Sequence, residues 1–283
     1  MMPVTKQVAT LLLVAGVALA GCVDTAPADI QAGRDATERG DPREAIKMYE
    51  RVIDARDQPA ATRAAAYLGR GATYSEQGDK DKALADFDQA IALKPDLFEA
   101  YISRAGVYID KGQPPKAIAD YDRALTLRPT AGEVYFWRGM VKAYLKRYGE
   151  AATDYTQAIR VGFADAEVFE KRGDANAMLG ATDVAIADYS RAIEINPDTA
   201  EAYNNRGVAF ARQGRYQQAL ADYTQAIRLE GEFARAFANR GQVYEKLKRR
   251  DEALADFRRA VELEPDQPDG RAGLKRLGAA ATP

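Results

Sequence analysis

The chain contains no histidine, one cysteine (Cys22), one tryptophan (Trp137) and three serines, Ser75, Ser103 and Ser190. Without histidine, neither a Ser–His nor a Cys–His nucleophile pair can be assembled, and zinc sites built on His or on several Cys are excluded. No phosphate-cradling glycine loop is present; Gly69 and Gly71 fall inside a helical pattern, a poor setting for a dinucleotide fingerprint. Charge of one sign is lacking too. Lys and Arg number 40 against 42 Asp and Glu, a net −2, so there is no general basic surface for nucleic acid. The one long apolar run, residues 11–20, is about half what a bilayer crossing needs. Carboxylates alone are plentiful, but they recur at periodic positions and no acid/base pair stands out. We therefore nominate no catalytic residue, no metal site and no cofactor.

What the chain has is a period. Residues 200–233 form a 34-residue template. Tyr203, Gly207 and Phe210 share one face of a first helix, and Ala219, Tyr223 and Ala226 share one face of a second. Gly214 between them suits a left-handed turn that ends the first helix. Counting positions 1 to 34 by this template gives seven repeats: 26–59, 64–97, 98–131, 132–165, 166–199, 200–233 and 234–267. Position 8, where two helices must approach, is Gly33, Gly71, Ala105, Gly139, Gly173, Gly207 and Gly241. Position 20 is alanine throughout, and position 24 is always aromatic, from Tyr49 to Phe257. Position 32 holds Pro95, Pro129, Pro197 and Pro265, which stop the second helix.

This length and this small/aromatic pattern resemble the tetratricopeptide repeat. The resemblance implies an all-α fold, a right-handed superhelical solenoid of seven helix-turn-helix repeats in which each repeat touches only its neighbours. The first repeat is degenerate, as end repeats are, and residues 268–283 read as a cap helix with a tail, with Leu274 and Leu277 on one face.

Charge also recurs on the interior stripes. Position 7 is Arg70, Arg104, Arg138, Arg172, Arg206 and Arg240; position 23 is Asp86, Asp120, Asp154, Asp188, Asp222 and Asp256. The two positions lie level across the helical hairpin, and a charge there needs a partner. A structural ladder of Arg–Asp pairs is expected, within a repeat or to the next one. The first repeat carries Ala32 and Met48 instead, so it lacks both members together.

The N-terminus has a different logic. Lys6, the apolar run and small residues after it read as a secretory signal. Leu19, Ala20, Gly21 and Cys22 resemble the lipobox of bacterial lipoproteins. That resemblance implies cleavage before Cys22, thioether lipidation there and acylation of the new amino terminus, giving stable membrane anchoring through several chains. The alternative is an ordinary signal peptide followed by a free or buried thiol. Val23 stands where aspartate would resemble an inner-membrane retention signal, so an outer-membrane, periplasm-facing location is expected. Residues 22–25 form only a short tether.

In the resembled family, outward positions of the first helices line a concave groove that holds a peptide or partner helix. Here those positions include Ile102, Phe136, Trp137, Met140 and Tyr144 in the middle repeats, typical anchor material if exposed. Packing of Trp137 or Tyr144 into a neighbouring repeat is the alternative. Further along, the stripe turns polar, with Lys171, Asn205 and Asn239. An amide donates and accepts at once, so Asn205 and Asn239 suit reading of a peptide backbone.

The expected function is a non-enzymatic scaffold: a membrane-anchored envelope lipoprotein that binds a protein or peptide partner and no nucleic acid. Lipoproteins of this build resemble factors for cell-wall enzyme control, outer-membrane assembly and pilus assembly. A module for a cell-wall glycan or stem peptide, using residues 136–144 as a platform, is the other reading.

Overall fold

A computed structural model describes residues 28–279. Cys22 and the signal segment lie outside the described residues. Within them the chain is helical throughout, with fifteen α-helices. It divides after Leu145 into two compact units.

The first unit holds α1 (Ala28–Glu38), α2 (Pro42–Asp54), α3 (Ala60–Glu76), α4 (Lys80–Leu93), α5 (Phe98–Asp110), α6 (Pro114–Leu127) and α7 (Gly132–Tyr144). The second holds α8 (Tyr148–Arg160), α9 (Ala166–Met178), α10 (Thr182–Ile195), α11 (Ala200–Arg212), α12 (Tyr216–Leu229), α13 (Ala234–Lys246), α14 (Arg250–Leu263) and α15 (Pro268–Arg276). In each unit every helix packs on the next, and alternate first helices also touch: α1 with α3, α3 with α5, α9 with α11, α11 with α13.

Local chemistry sets the helix ends. Asp41 caps α2 by accepting from the Glu44 N–H, and Pro42 opens it with a preset φ. Asp79 and Asp165 cap α4 and α9 in the same way. The turn inside a repeat needs a left-handed residue, supplied by Gly78 (φ 82°) and Gly214 (φ 72°). Lys146 and Lys248 occupy the same place with φ 60°, a conformation that costs an L side chain energy.

Packing explains the period. A Cβ added at Gly207 would lie 2.7 Å from the Tyr223 ring, and one at Gly173 would lie 2.8 Å from Tyr189. The small residue at position 8 is thus a seat for the aromatic at position 24 of the same repeat. Around it the second helices bury their alanines at positions 20 and 27 completely: Ala83 and Ala90 flank Phe87, and Ala219 and Ala226 flank Tyr223. At the end of the second unit, Leu274 of α15 covers Phe257 and Val261, which closes the last hydrophobic face. No helix among the described residues is long and apolar enough to cross a membrane.

Candidate interaction surface

The arginine at position 7 is a hub. Arg70 donates through Nε and Nη2 to the two oxygens of Asp86, both at 2.8 Å. Arg104 holds Asp120 at 2.9 and 2.6 Å, Arg206 holds Asp222 at 2.8 and 2.8 Å, and Arg240 holds Asp256 at 2.8 and 2.9 Å. Arg172 forks onto Asp188 at 3.1 and 2.6 Å. The Asp side chains are buried, so these paired, charge-assisted bonds are what makes their ionised form tolerable. In return the bond to Asp222 and the bond to Asp256 push the Arg206 and Arg240 guanidinium groups further up from their ordinary range.

Each hub has two more supports. The guanidinium lies over the ring three residues earlier: Arg104 over Tyr101 at 5.7 Å, Arg138 over Tyr135 at 5.5 Å and Arg240 over Phe237 at 5.6 Å. The remaining nitrogen, Nη1, reaches back to position 25 of the preceding repeat. In the first unit that residue is a carboxylate: Arg70 meets Glu50 at 3.4 Å, Arg104 meets Asp88 at 2.6 Å and Arg138 meets Asp122 at 2.5 Å. In the second it is a hydroxyl: Arg172 meets Thr156 at 3.3 Å, Arg206 meets Ser190 at 3.1 Å and Arg240 meets Thr224 at 3.1 Å. The sequence reading looked for a partner within the repeat or in the next one; the Asp partner lies within the repeat, and the second contact lies in the repeat before. A signal for it was present. Position 25 carries an oxygen acceptor wherever an arginine follows, and becomes Arg258 in the last repeat, where none does.

The nominated groove anchors of the middle repeats do not stand exposed. Ile102, Phe136 and Met140 are buried, and Trp137 is only 5% accessible. Trp137 turns onto Tyr121 of the preceding repeat, ring centroids 6.4 Å apart and tilted by 37°. It is therefore packing, not an open anchor. The physical reason is that neighbouring helices cover these positions, as Tyr121 of α6 covers Trp137 and Asn239 of α13 meets Asn204. Leu68, Ile102, Phe136 and Asn204, all at position 5, are buried in every case. Tyr144, at the end of α7, is the exception and is 63% exposed.

The polar part of the stripe is organised along α9, α11 and α13. Lys171, Asn205 and Asn239 are partly exposed, one repeat apart. They do not stand alone. Asn239 Nδ2 donates to Asn204 Oδ1 (2.9 Å), Asn204 Nδ2 donates to Asn205 Oδ1 (3.1 Å), and Asn205 Nδ2 donates to Asp174 Oδ1 (3.1 Å). The Tyr189 hydroxyl donates to the same Asp174 oxygen at 2.8 Å. Asn204 was not singled out from sequence, because nothing in the repeat pattern says that an amide at position 5 is buried and shared. Burial raises the Asp174 carboxyl to about 6; Lys171 and the Tyr189 hydrogen bond oppose this, while Glu170 and Glu201 add to it. Burial opposes the charge of Lys171, but Glu170, 3.1 Å away, and Asp174 outweigh that and hold its ammonium above the ordinary range. Beside them Glu201 pairs with Arg235 of the next repeat.

Helical hairpins in register, tied by a periodic Arg–Asp ladder and carrying an ordered polar stripe on their first helices, define a helical repeat protein. The chain belongs to the tetratricopeptide repeat family. Family models described as tetratricopeptide repeat match residues 30–72, 64–97, 98–130, 132–161, 200–233 and 234–267, and one described as TPR repeat matches 179–214. This fold is typically a non-enzymatic protein-interaction scaffold. Among solved structures, YrrB, described as a TPR protein with an unusual peptide-binding site, is 27% identical over 67% of this chain and 97% of its own, with a TM-score of 0.58. The C-terminal part of a TPR repeat-containing protein from Cytophaga hutchinsonii is 18% identical over 87% of this chain and 99% of that one, TM-score 0.71. PilF of Pseudomonas aeruginosa is 19% identical over 75% and 97%, TM-score 0.63. The last two share the fold. No curated protein matches the sequence significantly.

Proposed function

We propose that this protein is a scaffold of the bacterial cell envelope, lipidated at Cys22, that holds an extended segment of a partner protein along α9, α11 and α13. The observation that carries the peptide reading is the amide stripe. Asn205 and Asn239 recur 34 residues apart on consecutive first helices, partly exposed, the first fixed by two hydrogen bonds and the second by one, each with capacity left over. An extended peptide offers a carbonyl and an N–H at regular spacing, and a preorganised amide meets either without reading sequence. The likeness to YrrB, described as peptide-binding, supports this.

Anchoring rests on the lipobox-like residues Leu19 to Cys22. An envelope location fits a chain whose single thiol sits at that one place. The wall-glycan platform at residues 136–144 loses its basis, because the buried Phe136, Trp137 and Met140 offer no open face for a sugar ring to stack on.

Two experiments test the reading. Crosslinked capture from envelope fractions compares wild type with Asn205→Ala/Asn239→Ala; a partner retained by the first and lost by the second supports the stripe, and identical partners exclude it. Cys22→Ser should release the protein from membrane pellets; continued pelleting would end the lipidation reading.

A further inference from the structure

Resting on the reading of α9, α11 and α13 as the peptide-facing helices, we propose that Asp174 decides which hydrogen-bonding group Asn239 presents to a ligand. With Asp174 ionised, Asn239 presents its carbonyl oxygen; with Asp174 protonated, its amino group. Asp174 thereby determines specificity two repeats away.

The argument is one of donors and acceptors. An ionised carboxylate only accepts. Asp174 Oδ1 takes the Tyr189 hydroxyl proton at 2.8 Å and so must meet the NH2 side of Asn205, 3.1 Å away. That leaves the Asn205 oxygen toward Asn204, which must then offer its own NH2, and the Asn204 oxygen is left for the NH2 of Asn239. Every amide has one accepting and one donating end, so the choice made at Asp174 propagates without loss of a bond. Asn204 is 1% exposed and has no access to bulk water as a substitute partner. The Asn239 oxygen is the free end of the chain.

When a solvent proton binds Asp174, its O–H becomes a donor toward Asn205, while the hydroxyl oxygen still accepts from Tyr189. Asn205 now satisfies it by turning its amide over. Asn204 and then Asn239 follow, and four hydrogen bonds remain four, with every amide reversed. The groups that face Asp174 are Glu170 and Lys171 on its own helix, Tyr155 on α8, Tyr189 on α10, and Glu201 and Asn205 on α11. Burial among them, which raises the carboxyl to about 6, puts the reversal within reach of mild acidification.

The test is a side-chain amide 15N–1H titration of the whole chain from about pH 8 to about pH 5, with Asn204, Asn205 and Asn239 assigned. The expected result is one shared midpoint near 6 for all three, absent in Asp174→Asn and moved upward in Tyr189→Phe, which removes a donor that favours the ionised form. Titration of Asn205 alone, or an Asn239 titration that survives in Asp174→Asn, would overturn the proposal. A second arm measures binding of N-acetyl-hexaalanine amide across the same range. If the amides reverse but this peptide binds at neither end, the peptide reading of the stripe fails and control of Asn239 by Asp174 stands.

Discussion

Arg206 grips Asp222 with two hydrogen bonds of 2.8 Å and turns its third nitrogen to Ser190 of the preceding repeat, 3.1 Å away. One side chain therefore ties the two helices of its own repeat together and also fastens that repeat to the one before.

The pair itself is the strongest part of this tie. Asp222→Ala leaves a largely buried guanidinium without its fork and should destabilise the second unit by about 3–5 kcal/mol. The double change Arg206→Met/Asp222→Leu should recover most of that loss. Urea unfolding of the single and double variants checks it; a double variant as weak as Asp222→Ala would show that the cost is not an orphaned charge.

The backward contact should be weaker and sensitive to salt. Thr224→Asp gives Arg240 the carboxylate that Arg104 already has in Asp88. A gain of up to about 0.5 kcal/mol is expected at low ionic strength, disappearing in high salt. Thermal melts at the two salt concentrations decide; a gain that salt does not touch would point to packing instead.

Lys248 sits with φ 60° where five of the other repeats place glycine. Lys248→Gly should stabilise the second unit by about 0.5–1 kcal/mol, by removing the clash of Cβ with its own backbone. A fall in midpoint would mean that the lysine stem makes a contact worth more than the strain.

Trp137 is the only tryptophan, buried beside Tyr121. Trp137→Ala should cost about 3–5 kcal/mol by leaving a cavity. Its fluorescence should be blue-shifted and slow to quench with iodide. Unchanged stability would return the residue to the surface.

Asp174 gives a pH dependence of defined sign. Its folded value of about 6 lies above the ordinary 3.8, so between the two the folded chain binds more protons than the unfolded one. Stability then falls as pH rises through that window and stays low above it. Asp174→Asn should match wild type near pH 4 and exceed it at pH 7 by up to about 3 kcal/mol. Unfolding at both pH values checks this; a variant weaker than wild type at pH 7 would reverse the assignment.

The hairpin period was legible because Gly207 and Tyr223 constrain one another by contact inside a single repeat, and such contacts repeat with the chain. Arg206 and Asp222 were legible for the same reason. Trp137 and Asn204 were not. Whether their positions face solvent or a neighbouring helix depends on how consecutive repeats are rotated, and neighbouring positions on a helix differ by only about 100°. A repeat read alone carries no record of that rotation. The accepting oxygens of Glu50 and Thr224 show only when each repeat is read together with the arginine of the one that follows.

This backward reach gives the array a direction. Shortening it from the front removes Glu50 and leaves Arg70, a largely enclosed cation, short of an anion. Within the arginine ladder, shortening it from the rear by the last hairpin removes Arg240 itself and leaves Thr224, an exposed hydroxyl that water can serve, although it also takes Arg235 from Glu201 and Asn239 from the buried Asn204. The two ends are thus unequal as places to cut.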